Sequence, residues 1–125
     1  MPVRILLSLL IVFSLNSFAN SENDCDYNGT QTQMNICALN LYKVSNRKLN
    51  ERYSLLMHEL ENKDKKVLKT SQRRWLKQQD SICKDRTKDS VGGSIHPLEL
   101  HMCLKSETDL RIETLNTWLE TREIK

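Results

Sequence analysis

Between residues 30 and 61 the chain has neither Gly nor Pro, and its apolar positions recur at helical spacing. Met34, Cys37, Leu41, Leu49, Tyr53, Leu56 and Leu60 step along one stripe, with Ser45 filling the gap. That spacing predicts an amphipathic helix, and Ser45-Asn46 marks where it could bend or break. Asn62-Lys63-Asp64 reads as a tight connection, with Asp64 able to cap the next helix by accepting from its free backbone N–H groups. A second helix is predicted over residues 65–84, where Leu68, Trp75, Ile82 and Cys83 lie close to one face and Ser71 and Gln79 complete the spacing. Residues 85–96 contain Gly92-Gly93 and few apolar side chains, the signature of a loop. Pro97 suits the first position of a third helix, where its missing N–H costs nothing. Leu100, Leu104, Thr108, Arg111, Leu115 and Leu119 then carry an inner face to about Arg122. Nothing alternates with the period of a strand. The fold class is therefore all-α: an antiparallel helical hairpin plus a third helix.

The start of the chain has a different pattern. Arg4 precedes residues 5–18, which carry no charge and are apolar apart from Ser8, Ser14, Asn16 and Ser17. Ser17-Phe18-Ala19 sets small residues at the positions a signal peptidase requires, so residues 1–19 read as a signal peptide and 20–125 as the mature domain. The apolar run, 14 residues, is short for a membrane span, which needs about 20. The expected destination is the periplasm or the exterior, with no membrane span after cleavage.

Export changes the meaning of the cysteines. All four, Cys25, Cys37, Cys83 and Cys103, lie beyond the cut, and an even number in a small exported domain implies two disulfides. Structural zinc sites bring their ligands in close pairs, whereas these gaps are 12, 46 and 20 residues, so no metal or other cofactor is expected. Local pairing, Cys25 to Cys37 and Cys83 to Cys103, would tie the N-terminal segment onto the first helix and close the Gly-Gly loop. Pairing of Cys37 with Cys83 stays open as the rival. In an ideal hairpin turning near Lys63 their offset is about 9 Å at the helical rise, beyond a disulfide's reach unless a helix bends.

Charge narrows the partners. Loss of Arg4 lowers the formal net charge from +3 to +2, with both signs interspersed. Lys63-Asp64-Lys65-Lys66 and Arg73-Arg74 read as solvated helix faces. No nucleic-acid partner is expected, because basic clusters interleaved with aromatics are missing.

Taken in order, Cys25, Gln33-Met34-Asn35-Ile36-Cys37, Leu49-Asn50-Glu51-Arg52-Tyr53, Gln72-Arg73-Arg74-Trp75-Leu76, Asp80-Ser81-Ile82-Cys83, Gly93-Ser94, Cys103, Thr108, Arg111 and Leu115 form a series. It resembles the LprI-like family of bacterial envelope proteins, over about residues 25–119. The resemblance implies a helical, disulfide-linked exported domain, and for some relatives an association with lysozyme inhibition. This chain departs from the family pattern at Gln79, where relatives commonly carry Arg. Its pI near 8.7 also sets like charge against a basic lysozyme, which slows encounter unless a local patch differs.

Candidate contact residues follow from exposure and spacing. The loop is the best inserting element, with Val91, Gly92, Gly93 and Ser94 at its tip. Asn50 and Tyr53 share a helix face and could touch a partner, or each other's neighbours across the bundle. Arg111 falls on a nominally buried face, where it is expected to pair with Asp80 or to point into a cleft. Trp75 is expected in the core. Catalysis finds little support, since Asp80 and Asp85 do not share a helix face and no thiol is expected free. The chain thus reads as a non-enzymatic, protein-binding module whose partner is lysozyme or another envelope protein. The alternative is a periplasmic structural or stress-related protein that does not bind lysozyme.

Overall fold

The structure is a computed structural model that describes residues 25–124; the expected signal peptide lies outside them. Three α-helices and one 3-10 turn make up the regular structure of the described residues, with no strand.

Helix α1 runs from Gln31–Glu59. Thr30 starts it with a capping box: its hydroxyl accepts from the Gln33 N–H at 3.2 Å, and Gln33 Oε1 accepts from the Thr30 N–H at 2.8 Å. The helix is unbroken through Ser45-Asn46. Ser45 is buried, and its hydroxyl donates to Asp109 Oδ1 at 2.6 Å, so the polar gap in the apolar stripe is filled by a hydrogen bond to a neighbouring helix.

Helix α2, Asn62–Arg86, follows after a connection shorter than the sequence suggests. Leu60 and Glu61 are extended, and Glu61 occupies the cap position without a side-chain hydrogen bond. Asp64 is therefore not a cap. It sits inside the first turn, where its negative charge favourably meets the helix dipole. Helix α3, His96–Thr121, begins with Pro97 in its first turn and ends at Arg122 in the left-handed conformation, φ 59°.

Cross-links set the directions. Asn35 reaches Ser94, Tyr42 stacks on His101, Ser45 bonds Asp109 and Glu59 pairs with Arg122. Both numbers rise together, so α1 and α3 run parallel. Cys83–Cys103, Gln79–Thr108 and Gln72–Arg111 run in opposite order, so α2 is antiparallel to α3. The hairpin and third helix are present, but α1 packs mainly on α3 and touches α2 only sparsely.

The apolar core fills one half of the bundle. Leu49, Leu56 and Leu60 meet Leu68 of α2 and Leu115 and Trp118 of α3, with Tyr53, Met57, Trp75 and Ile112 packed around them. Burying each such leucine stabilises the fold by about 1.5–3 kcal/mol. The other half carries the covalent bonds. Cys25–Cys37 and Cys83–Cys103 are formed, with Cα separations of 5.8 and 5.7 Å, and among the described residues no cysteine is free. The local pairing therefore holds. Ile82, expected inward, is exposed. Because α2 barely touches α1, its buried stripe narrows to Leu68, Gln79 and Cys83, and Ile82 lies off that line.

Candidate partner-binding surfaces

The sequence-selected residues fall on three places. The first is the loop between α2 and α3. Cys83, at its root, is fully buried and bonded to Cys103. Thr87 is buried too, its hydroxyl donating to the Cys83 carbonyl at 2.8 Å. The 3-10 turn Lys88–Ser90 follows, and the Ser90 hydroxyl donates to the Thr87 carbonyl at 3.0 Å and lies 3.1 Å from His96 Nδ1. Gly93 N–H donates to Ser90 O at 2.9 Å, and Asn35 Nδ2 of α1 donates to Ser94 O at 2.9 Å. Gly92 has φ +84°, a left-handed conformation that glycine adopts without strain. The tip is thus held at both ends while Val91 stands 67% exposed.

Further apolar side chains share this end of the bundle. Ile95 closes the loop, Tyr27 lies in the turn held by Cys25–Cys37, and Ile36 is in the second turn of α1; all are exposed. Such residues on a rigid rim suit a protein contact, because little side-chain or loop freedom remains to be lost on binding.

The second place is the channel left where α1 and α2 splay. Asn50 and Tyr53 line it together with Asn46 and Leu49, opposite Lys69, Gln72, Arg73 and Leu76 of α2; its volume is about 320 Å³. The structure therefore does bring Asn50 and Tyr53 to one surface. Gln72, Lys69 and Arg73 complete it, and only the register between the helices could have found them.

The third is Arg111, which is buried. Its expected pairing with Asp80 does not occur: Asp80 faces outward and pairs with Lys84 at 2.8 Å on its own helix. Arg111 Nε instead donates to Gln72 Oε1 and its Nη2 to Ser71 Oγ, both at 2.9 Å. Its guanidinium carbon lies 5.8 Å from the Trp75 ring centre and 5.0 Å from that of Trp118. Desolvation by burial lowers its pKa from the ordinary arginine value, and the two π-faces stand in for a carboxylate. Arg111 thus clamps α2 to α3 and backs the channel through Gln72. Trp118, the residue missed in the inward stripe of α3, lies seven positions after Arg111, a spacing that returns to the same helix face.

What the fold and these surfaces define, among the described residues, is a small three-helix domain braced by two disulfides. Residues 21–115 match the family described as "Lysozyme inhibitor LprI", and the chain belongs to that family. It is also similar to an uncharacterised protein of Rhizobium meliloti (strain 1021), 29% identical over 131 residues, with 94% of each chain covered. No solved structure matches the chain. Among the described residues, no helix is long and apolar enough to cross a membrane, and the two disulfides fit an oxidising compartment.

Proposed function

We propose that this chain is an exported lysozyme inhibitor, a protein-binding module of the bacterial cell envelope that acts by insertion of the loop after α2 rather than by turnover. The family description supports the partner class. The observation that carries the contact element is the braced loop: Val91 is exposed at a tip whose two flanks are fixed by Cys83–Cys103 and by the Asn35 hydrogen bond. Val91, Gly92, Gly93 and Ser94 form the inserting segment. Over residues 80–99, which carry the loop, Asp80, Asp85, Asp89 and Glu99 offset Lys84, Arg86 and Lys88, so this stretch does not share the chain's overall positive charge and favours approach to a basic enzyme.

The same reading has residues 1–19 removed on export to the periplasm or beyond. N-terminal sequencing of the protein recovered outside the cytoplasm should begin at Asn20.

The test uses the purified, oxidised mature domain against lysozymes of several classes. Wild type should inhibit at least one at sub-micromolar concentration. Deleting residues 91–94, or the milder Val91→Asp, should weaken inhibition by about tenfold or more, as expected for loss of an interface anchor, with the thermal midpoint nearly unchanged. Inhibition that survives the deletion would remove the loop from the interface. Absence of inhibition of every class would remove lysozyme.

A further inference from the structure

Charge is not spread evenly over the three helices. Helix α2 carries nine Lys and Arg against Asp64, Asp80 and Asp85, whereas α3 carries five acidic residues against Lys105 and Arg111. Between Asp64 and Asp80 stand Lys65, Lys66, Lys69, Arg73, Arg74 and Lys77 with no carboxylate. None of these six is in an ion pair among the described residues. A helix whose cations are unpaired over about four turns is a standing attraction for a polyanion.

Of these six, Lys69 and Arg73 line the channel between α1 and α2, whereas Lys66 and Arg74 border a separate depression with Val67, Thr70 and Ser71. The channel walls carry Lys69 and Arg73 and no acidic residue, and Arg111 adds an uncompensated cation behind Gln72. Asn46 and Asn50 line the opposite wall, and among the described residues neither side-chain amide has a protein partner. Tyr53 and Leu76 supply apolar surface, and Leu76 is exposed. The channel follows residues 46–53 of α1, about 10 Å at the helical rise, the length of about two linked sugar rings.

We propose that this channel binds a strand of acidic polysaccharide, a second binding surface separate from the lysozyme-directed loop. Carboxylates on the strand meet Lys69 and Arg73. Hydroxyl or acetamido groups take the donor and acceptor capacity of Asn46 and Asn50, and a sugar-ring face lies on Tyr53. A peptide helix is a poorer occupant, because helix-in-groove binding needs a row of apolar anchor sites and this lining is mostly amide and cation.

The test is calorimetric titration of the oxidised mature domain with a galacturonate hexamer, with chitohexaose as the uncharged comparison and phosphatidylglycerol vesicles as the lipid arm. The hexamer should bind, more weakly as salt rises toward about 0.15 M, and chitohexaose should bind far less well. Lys69→Gln with Arg73→Gln should weaken binding about tenfold, as should Leu76→Glu, which places a carboxylate in the channel. Lys63→Gln with Lys84→Gln makes the same change of charge elsewhere on α2 and should matter little. Circular dichroism melts would show that all variants fold. Equal losses for the two charge pairs would overturn the channel, as would no binding of the hexamer or equal binding of chitohexaose. Vesicle binding that the channel variants abolish, without hexamer binding, would reassign the surface to lipid.

Discussion

Arg111 is a buried cation held by neutral groups. Taking a guanidinium out of water costs several kcal/mol even after relaxation. The offset here comes from two hydrogen bonds and two aromatic faces, each cation–π contact contributing about 0.5–2 kcal/mol as water is excluded. No carboxylate has to be desolvated alongside it. Two substitutions separate packing from charge. Arg111→Ala leaves a cavity between Trp75 and Trp118 and should cost about 2–4 kcal/mol in urea unfolding. Arg111→Met keeps an unbranched chain between the rings and should cost under about 1.5 kcal/mol, because the desolvation penalty disappears with the charge. Equal losses for the two variants would mean that the charge itself holds α2 to α3.

Between elements, α2 is the least anchored helix. Leu68, Gln79 and Cys83 are its buried residues, Trp75 packs at the edge of the apolar core, and hydrogen bonds through Gln79, Gln72 and Ser71 add to its contact with α3. Gln79 Nε2 donates to Thr108 Oγ1 at 2.7 Å and to the Leu104 carbonyl at 3.1 Å, so this amide docks the helix on α3. Leu68→Ala should therefore cost about 2–5 kcal/mol, while Leu76→Ala, on an exposed channel wall, should stay within about 0.5 kcal/mol; denaturant midpoints of both variants check this. The same geometry explains what the sequence could show. Helical periodicity placed Leu49, Leu56, Leu68, Thr108, Arg111 and Leu115 inward, and all are buried, because a stripe reports which face leaves water. Periodicity is blind to the partner of that face. The close parallel packing of α1 on α3, the outward Ile82 and the channel cations opposite Asn50 and Tyr53 all depend on how the helices are rotated against each other, and long-range packing decides that. The loop was legible from Gly92-Gly93, but its bracing by Asn35 was not, since that hydrogen bond joins residues 59 apart.

Over the whole molecule, two kinds of stabilisation are divided between the two ends. The half around Leu56, Leu115 and Trp118 is held by apolar burial. The half that carries the proposed contact loop is held by Cys25–Cys37, Cys83–Cys103 and side-chain hydrogen bonds. Each disulfide closes a loop of 12 or 20 residues, and such closure contributes about 3 kcal/mol through the unfolded chain. Reduction should therefore act unevenly. Well below the thermal midpoint, thiol reductant should raise amide exchange first around residues 25–37 and 83–103, because local opening there no longer has to strain a covalent link. Trp75 and Trp118 flank Arg111 beside the Leu core, so their fluorescence should hold while that exchange rises. On the proposed function, lysozyme inhibition should fall with the exchange and not with the fluorescence, since a freed loop must be ordered again on binding, at about 0.5–1.5 kcal/mol for each side chain immobilised. Hydrogen exchange, fluorescence and inhibition measured on one reductant series would decide it. A single concerted loss of all three would mean that the two ends fold as one unit and that the disulfides stabilise the apolar half as much as the loop.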